Sequence, residues 1–197
     1  MKHSYLTALF LAAQVICATA TASDTSLYPE AAPADASFVR FAGFDPDETA
    51  EFAGKSFALT LEDDLAYLPV SSALLNSVAP GTFVTIVRGA DGHQQTILEG
   101  PRSHAARVHL FLINATERVL ELRLADGSTP VIETVAAATA GARDVNPVAI
   151  ALGVFELGNP IPLATFDVAL KRGQNLSFIA DDTGIRLVEN RFGAVAR

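Results

Sequence analysis

Three histidines beyond the extreme N-terminus, His93, His104 and His109, are the side chains best suited to moving a proton near neutral pH or to holding a metal. Nothing around them has metal-ligand spacing. His109 alternates with Arg107, which on a strand places both on one face, and we expect that face to be solvated. A serine nucleophile is not signalled either: no G-x-S-x-G elbow occurs, and neither Ser103 nor Ser177 sits in a glycine-framed turn. A triad, being defined by geometry, stays open at this level. The acid clusters Asp45-Asp47-Glu48 and Glu62-Asp63-Asp64 lack the ligand and glycine spacing of a calcium loop. Phosphate-loop and dinucleotide signatures are missing as well. The expectation is therefore no catalytic residue, no cofactor and no metal. What remains is contact chemistry: the polar set Arg143, Asp144 and Asn146, together with the Arg107/His109 pair, as candidates for binding a partner.

The stretch Gly141 to Gly158 must position the first of these sets. It opens with Arg143 and Asp144, turns through Asn146-Pro147, and becomes almost wholly apolar. Val148, Ile150, Leu152 and Val154 share one face of an extended chain, with Ala149, Ala151 and Gly153 on the other, as expected of a central strand. The polar residues before it read as a turn at the rim of a rigid sheet, where Asp and Asn also serve simply to set the turn.

Short strands punctuated by turn residues fill the remaining chain, at Phe38–Phe41, Phe57–Leu61, Leu65–Val70, Phe83–Arg88 and His93–Leu98. Asp45–Glu51 reads as an acidic loop. Beyond a change of composition at Glu99–Ser103, Ala106–Ile113 and Arg118–Leu124 are expected to pair across Asn114-Ala115-Thr116, with Leu120, Leu122 and Leu124 facing in. Thr129–Ala140 reads as a strand and then a loop. Strands at Ala164–Leu170, Leu176–Ala180 and Ile185–Val188 follow. The expectation is all-β: two tandem β-sandwich (Ig-like) domains, 37–100 and 104–192, after an extended arm at 23–36. An internal echo supports a pair. Gly81, the strand Val84–Val87 and Gly92 recur at the same intervals as Gly173, Leu176–Ile179 and Gly184.

Residues 1–22 carry Lys2, an apolar run from Leu6 to Ala18 and Ala20-Thr21-Ala22, the pattern of a cleaved secretory signal peptide. Cys17, the single cysteine, lies within it, so neither disulfides nor Cys-ligated metal are expected in the mature chain, which suits a bacterial periplasm. Acidity is confined to the first half: Asp24 to Gly100 holds 3 basic against 12 acidic residues, while Pro101 to Arg197 holds 10 of each. Nucleic acid and other polyanions would be repelled by the acidic half. Sugar rings dock on Trp and Tyr faces, and this chain has no Trp and only Tyr28 and Tyr67 beyond the signal, which argues against a dedicated carbohydrate-binding module.

Leu27-Tyr28-Pro29, Ala32-Pro33 and Phe38-Val39-Arg40 resemble the mature start of the alginate biosynthesis protein AlgF family. Arg143-Asp144, Asn146-Pro147-Val148, then Val168-Ala169-Leu170, Arg172-Gly173 and Leu176 continue the likeness. The resemblance implies two β-sandwich domains and a non-catalytic periplasmic adaptor required for O-acetylation of an exopolysaccharide, alginate or a relative. It also implies partners: periplasmic SGNH-type acetyltransferases, with the membrane-bound O-acyltransferase and the polysaccharide as further ones. Two other readings stay open, a polysaccharide-binding module and an acetyl-carrier or esterase enzyme.

Overall fold

The computed structural model describes residues 30–102 and 106–197. The expected signal peptide, the arm residues before Glu30 (including Leu27-Tyr28-Pro29), and Ser103, His104 and Ala105 lie outside the described residues. Regular structure is almost entirely strand, with two short 3-10 turns at Leu61–Asp63 and Ser72–Leu74. The all-β expectation holds.

In the first unit, β1 (Ala36–Ala42) is flanked by β4 (Tyr67–Ser71) on one side and by β5 (Phe83–Arg88), parallel to it, on the other; β6 (Gln94–Leu98) follows β5. A hairpin, β2 (Thr49–Phe52) and β3 (Lys55–Ala58), covers the inner face of this sheet. Ala50, Phe57 and Leu59 meet Val39, Phe41, Val70, Val84 and Ile86 in its core. The loop expected at 45–51 thus ends early: β2 begins at Thr49 because Ala50 has a core to enter. Ala53 and Gly54, at φ 50° and 81°, turn the hairpin with the left-handed pair that a two-residue connection of this twist requires.

The second unit is a sandwich of two four-stranded sheets. One is ordered β10 (Thr139–Val145), β7 (Val108–Asn114), β13 (Asn175–Asp181), β14 (Gly184–Glu189); the other is β12 (Pro162–Ala169), β11 (Ala149–Glu156), β8 (Leu120–Leu124), β9 (Pro130–Val135). Leu110, Leu112, Leu120, Leu122, Leu152, Val154 and Phe178 form its core. Two expectations are corrected here. The strands either side of Asn114-Ala115-Thr116 do not pair; the chain crosses from one sheet to the other. Asn114 makes that corner, its buried amide donating to the carbonyls of Arg118, Val135 and Ala136. Likewise Arg143 and Asp144 belong to strand β10, in register with Leu110 and His109, and only Asn146-Pro147 turns the chain into β11. β11 is central, paired on both sides as expected, but Val148 stands before it, half-exposed.

The repeat in the sequence has a structural counterpart. β5 and β13 each lie third in their sheet, parallel to the unit's first strand, entered from Gly81 and Gly173 at φ 78° and 77° and followed by a hairpin to an edge strand. The C-terminal residues return to the first unit. Tyr67 N donates to Arg191 O, Gly193 N to Tyr67 O and Ala196 N to Pro69 O, so this segment lies parallel to β4 along its open edge.

Candidate functional site at the seam between the units

A strand within a sheet buries alternate residues on opposite faces. In β1, β5, β7 and β13, Val39, Phe41, Val84, Ile86, Leu110, Leu112, Leu176 and Phe178 fill the two unit cores, and the intervening residues are buried too. They meet one another. Ala42, Val87 and Ile97 of the first unit pack against Phe111, Ile113 and Ile179 of the second, so the two sheets lie back to back with a third core between them.

One end of this seam is charged. Arg40 Nε donates to Thr85 Oγ1 at 2.9 Å, Nη1 to Asn190 Oδ1 at 2.8 Å, and Nη2 to Ser177 Oγ at 3.2 Å and Glu99 Oε1 at 3.3 Å. Glu99 also accepts from Thr85 and from the Tyr67 hydroxyl, and Arg102 Nη2 reaches its other oxygen at 3.0 Å. Two guanidiniums thus share one buried carboxylate. The remaining positive charge is spread over aromatic faces: Arg40 Cζ lies 4.3 Å from the Tyr67 ring centre, and Arg102 Cζ lies 3.6 Å from that of Phe83 and 4.4 Å from that of Phe111. Burial pushes the Tyr67 phenol far above its ordinary value, with the Glu99 charge acting in the same direction and Arg40 against it. Thr85 bonded to Glu99 in one unit and Ser177 bonded to Asn190 in the other occupy matching places, each on the third strand and just past the edge strand. Such a network can hold two sheets in one register. Its hydroxyls are engaged: Ser177 Oγ accepts from Arg40 and donates to Asn190 Oδ1.

The sequence singled out none of Arg40, Tyr67, Glu99 or Arg102 for this. A signal existed: Arg40 sits within the apolar strand Ala36–Ala42, where a charge must be paired if both faces are covered.

The structure brings the expected contact residues together as two pairs at the β7–β10 edge. His109 Nδ1 lies 2.5 Å from Asp144 Oδ1, and Arg107 Nη1 donates to Asn146 Oδ1. Arg143 is exposed and donates to Val131 O at 3.0 Å. The solvated face expected of Arg107 and His109 is corrected for the histidine, which is only 4% exposed. His109 occupies a seam-side position of β7 beside Asn175, and its sheet's outer face is covered, so alternation with an exposed arginine at the strand's end did not report its environment. Among the described residues, no group of three or more His, Cys, Asp or Glu side chains is arranged to hold a metal ion.

At its other end the seam opens into a cleft of about 640 Å³, lined by the β5–β6, β7–β8 and β13–β14 turns. Ala90 N of the first unit donates to Asp182 Oδ2 of the second across it, at 2.6 Å.

Comparison with known proteins agrees with the residues that carry the resemblance. The family model described as "Alginate O-acetyl transferase AlgF" matches residues 8–177. Alginate biosynthesis protein AlgF of Pseudomonas fluorescens is 30% identical over 183 residues, spanning 85% of this chain and 82% of the relative. The namesake in Pseudomonas syringae pv. tomato is 28% identical over 79% of this chain and 75% of its own length, and that of Pseudomonas aeruginosa is 26% identical over 85% and 83%. Among solved structures, the C-terminal domain of AlgF from P. aeruginosa aligns over 47% of this chain and 99% of its own, at 24% identity and a TM-score of 0.37. A family model covering most of the sequence, with relatives matched over most of their own lengths, makes this chain a member of the AlgF family.

Proposed function

We propose that this chain serves alginate O-acetylation as a non-catalytic periplasmic adaptor, holding SGNH-type acetyltransferases, and with them the membrane-bound O-acyltransferase, in one assembly. The family belongs to alginate biosynthesis and its O-acetylation; the adaptor role is our reading of this molecule. What supports it most is the seam. Two units are fastened into one body by a buried network, which suits a part that fixes the relative placement of two partners. Burying an ion pair adds little net stability, but breaking it strands an uncompensated charge, so the intact pair holds the two sheets to one arrangement.

Calorimetry of the exported chain with each purified acetyltransferase, and then with both together, tests this. A ternary complex, with no acetate released from an activated ester above a heat-killed control, is the expected result. Release of acetate by the chain alone would move the reading to a carrier or esterase.

A further inference from the structure

The open end of the seam has a composition unlike its buried end. Moving along β5 and β13 from Thr85 and Ser177, past Val87 and Ile179, the two strands reach Gly89 and Asp181, where the sheets part. The walls of the cleft carry carboxylates. Asp181 is paired with Arg186, and Arg118 with Glu156. Asp91 and Asp182 accept only backbone N–H groups, those of His93 and Ala90, and Glu117 is exposed at the same mouth. Acidity in this cleft is thus largely uncompensated by cations among the described residues.

Two independent features point to what it takes. Gln95, half-buried on the seam side of β6, lines the cleft, and its shielded Oε1 has no hydrogen-bond partner among the described residues. Along one rim, the β11–β12 connection and the start of β12 display aliphatic side chains: Leu157 is 50% exposed, Ile161 70% and Leu163 39%, and of these Leu163 lines the cleft. Leu157 N donates to Val119 O, which ties this rim to the β7–β8 loop. Large aliphatics exposed side by side mark a protein-binding surface.

We propose that this cleft is where a basic segment of a protein partner docks, a Lys or Arg side chain entering between Asp91, Glu117 and Asp182 while neighbouring aliphatic residues cover Leu157, Ile161 and Leu163. The inference rests on the adaptor reading and names its surface. The cation meets carboxylates with the Gln95 amide oxygen beside them; the rim contributes apolar burial. A uronate polymer carries the wrong charge for the same site.

Hydrogen–deuterium exchange on the full exported chain, with and without each purified SGNH-type acetyltransferase, locates the contact. Protection of residues 89–95, 115–119, 157–163 and 181–185 by one enzyme is expected. The charge reversal Asp91→Lys with Asp182→Lys, and separately Ile161→Asp, should each weaken that enzyme's affinity by about tenfold or more, while Asp167→Lys on the outer face of β12 leaves it unchanged. Binding of the native chain with protection elsewhere, or cleft variants that bind as the native chain does, overturns this site and leaves the adaptor reading standing. A native chain that binds neither enzyme removes both. Protection of these segments by alginate oligomers instead of an enzyme overturns the protein-docking assignment in favour of the polymer.

Discussion

Arg40 Nη2 lies 3.3 Å from Glu99 Oε1, and neither side chain has any exposed surface, although both belong to a sheet face that points away from its own unit's core. The pair is buried because a second sheet lies over it. Removing one partner leaves the other charge stranded, so Glu99→Ala should lower stability by about 3–5 kcal/mol. Urea unfolding of the native chain should be a single transition. In the variant we expect two, since the first unit loses its fastening to the second; one unchanged transition would show that the network contributes nothing to their coupling.

Tyr67 supplies a pH dependence. Its folded-state value is raised above the ordinary 10.0, first by burial, so the folded protein keeps the proton where the unfolded chain gives it up. The associated stability is complete below the unfolded value and is lost as pH rises beyond it. Melting temperature should fall on the alkaline side of about pH 10, with phenolate absorbance appearing together with unfolding. Tyr67→Phe should flatten that decline.

The β2–β3 turn holds a non-glycine residue, Ala53, at φ 50° beside Gly54 at 81°. An asparagine tolerates this conformation better than alanine. Ala53→Asn should therefore stabilise the protein by about 0.5–1 kcal/mol, read as a rise in melting temperature of a few degrees. A drop would mean the turn is not as described.

Gly141 is close-packed. A Cβ there would come within 2.5 Å of Ile132 Cγ2 and 2.6 Å of Val135 Cγ2, both on β-branched side chains buried in the second unit. Such residues have few alternative rotamers. Gly141→Ala should cost about 1–3 kcal/mol in chemical denaturation, and Ile132→Val in the same chain should recover little, since valine keeps the clashing Cγ2 methyl and the Val135 contact persists as well.

The C-terminal segment closes the β4 edge through three backbone hydrogen bonds, and Phe192 packs on Phe38 at 5.2 Å between ring centres. Ending the chain after Asn190 should expose that edge. Light scattering should then show concentration-dependent association that the full chain lacks, because an uncovered strand is a template for another.

How much of this was written in the order of residues differs by element. Strands such as Phe83–Arg88, Leu120–Leu124 and Ala149–Glu156 are legible because alternation or continuous apolarity is a local property of the backbone. The glycines of the repeat are equally local, each needed where the chain turns left-handed. Family membership also follows from residue order, since it is a matter of matching residues. Pairing is another matter. Nothing near Asn114 tells the chain whether Val108–Asn114 and Leu120–Leu124 bond to each other or to strands far along the sequence, and the buried amide of Asn114 acts through the carbonyls of Val135 and Ala136, met only after folding. His109 reads as solvated beside Arg107 and is buried. Arg40 is legible as part of a short strand, yet its partners Glu99, Ser177 and Asn190 come from three distant segments. Periodicity reports which residues share a face. Whether that face meets water or a second sheet depends on long-range packing, and that alone created the seam, its ion network and its open cleft.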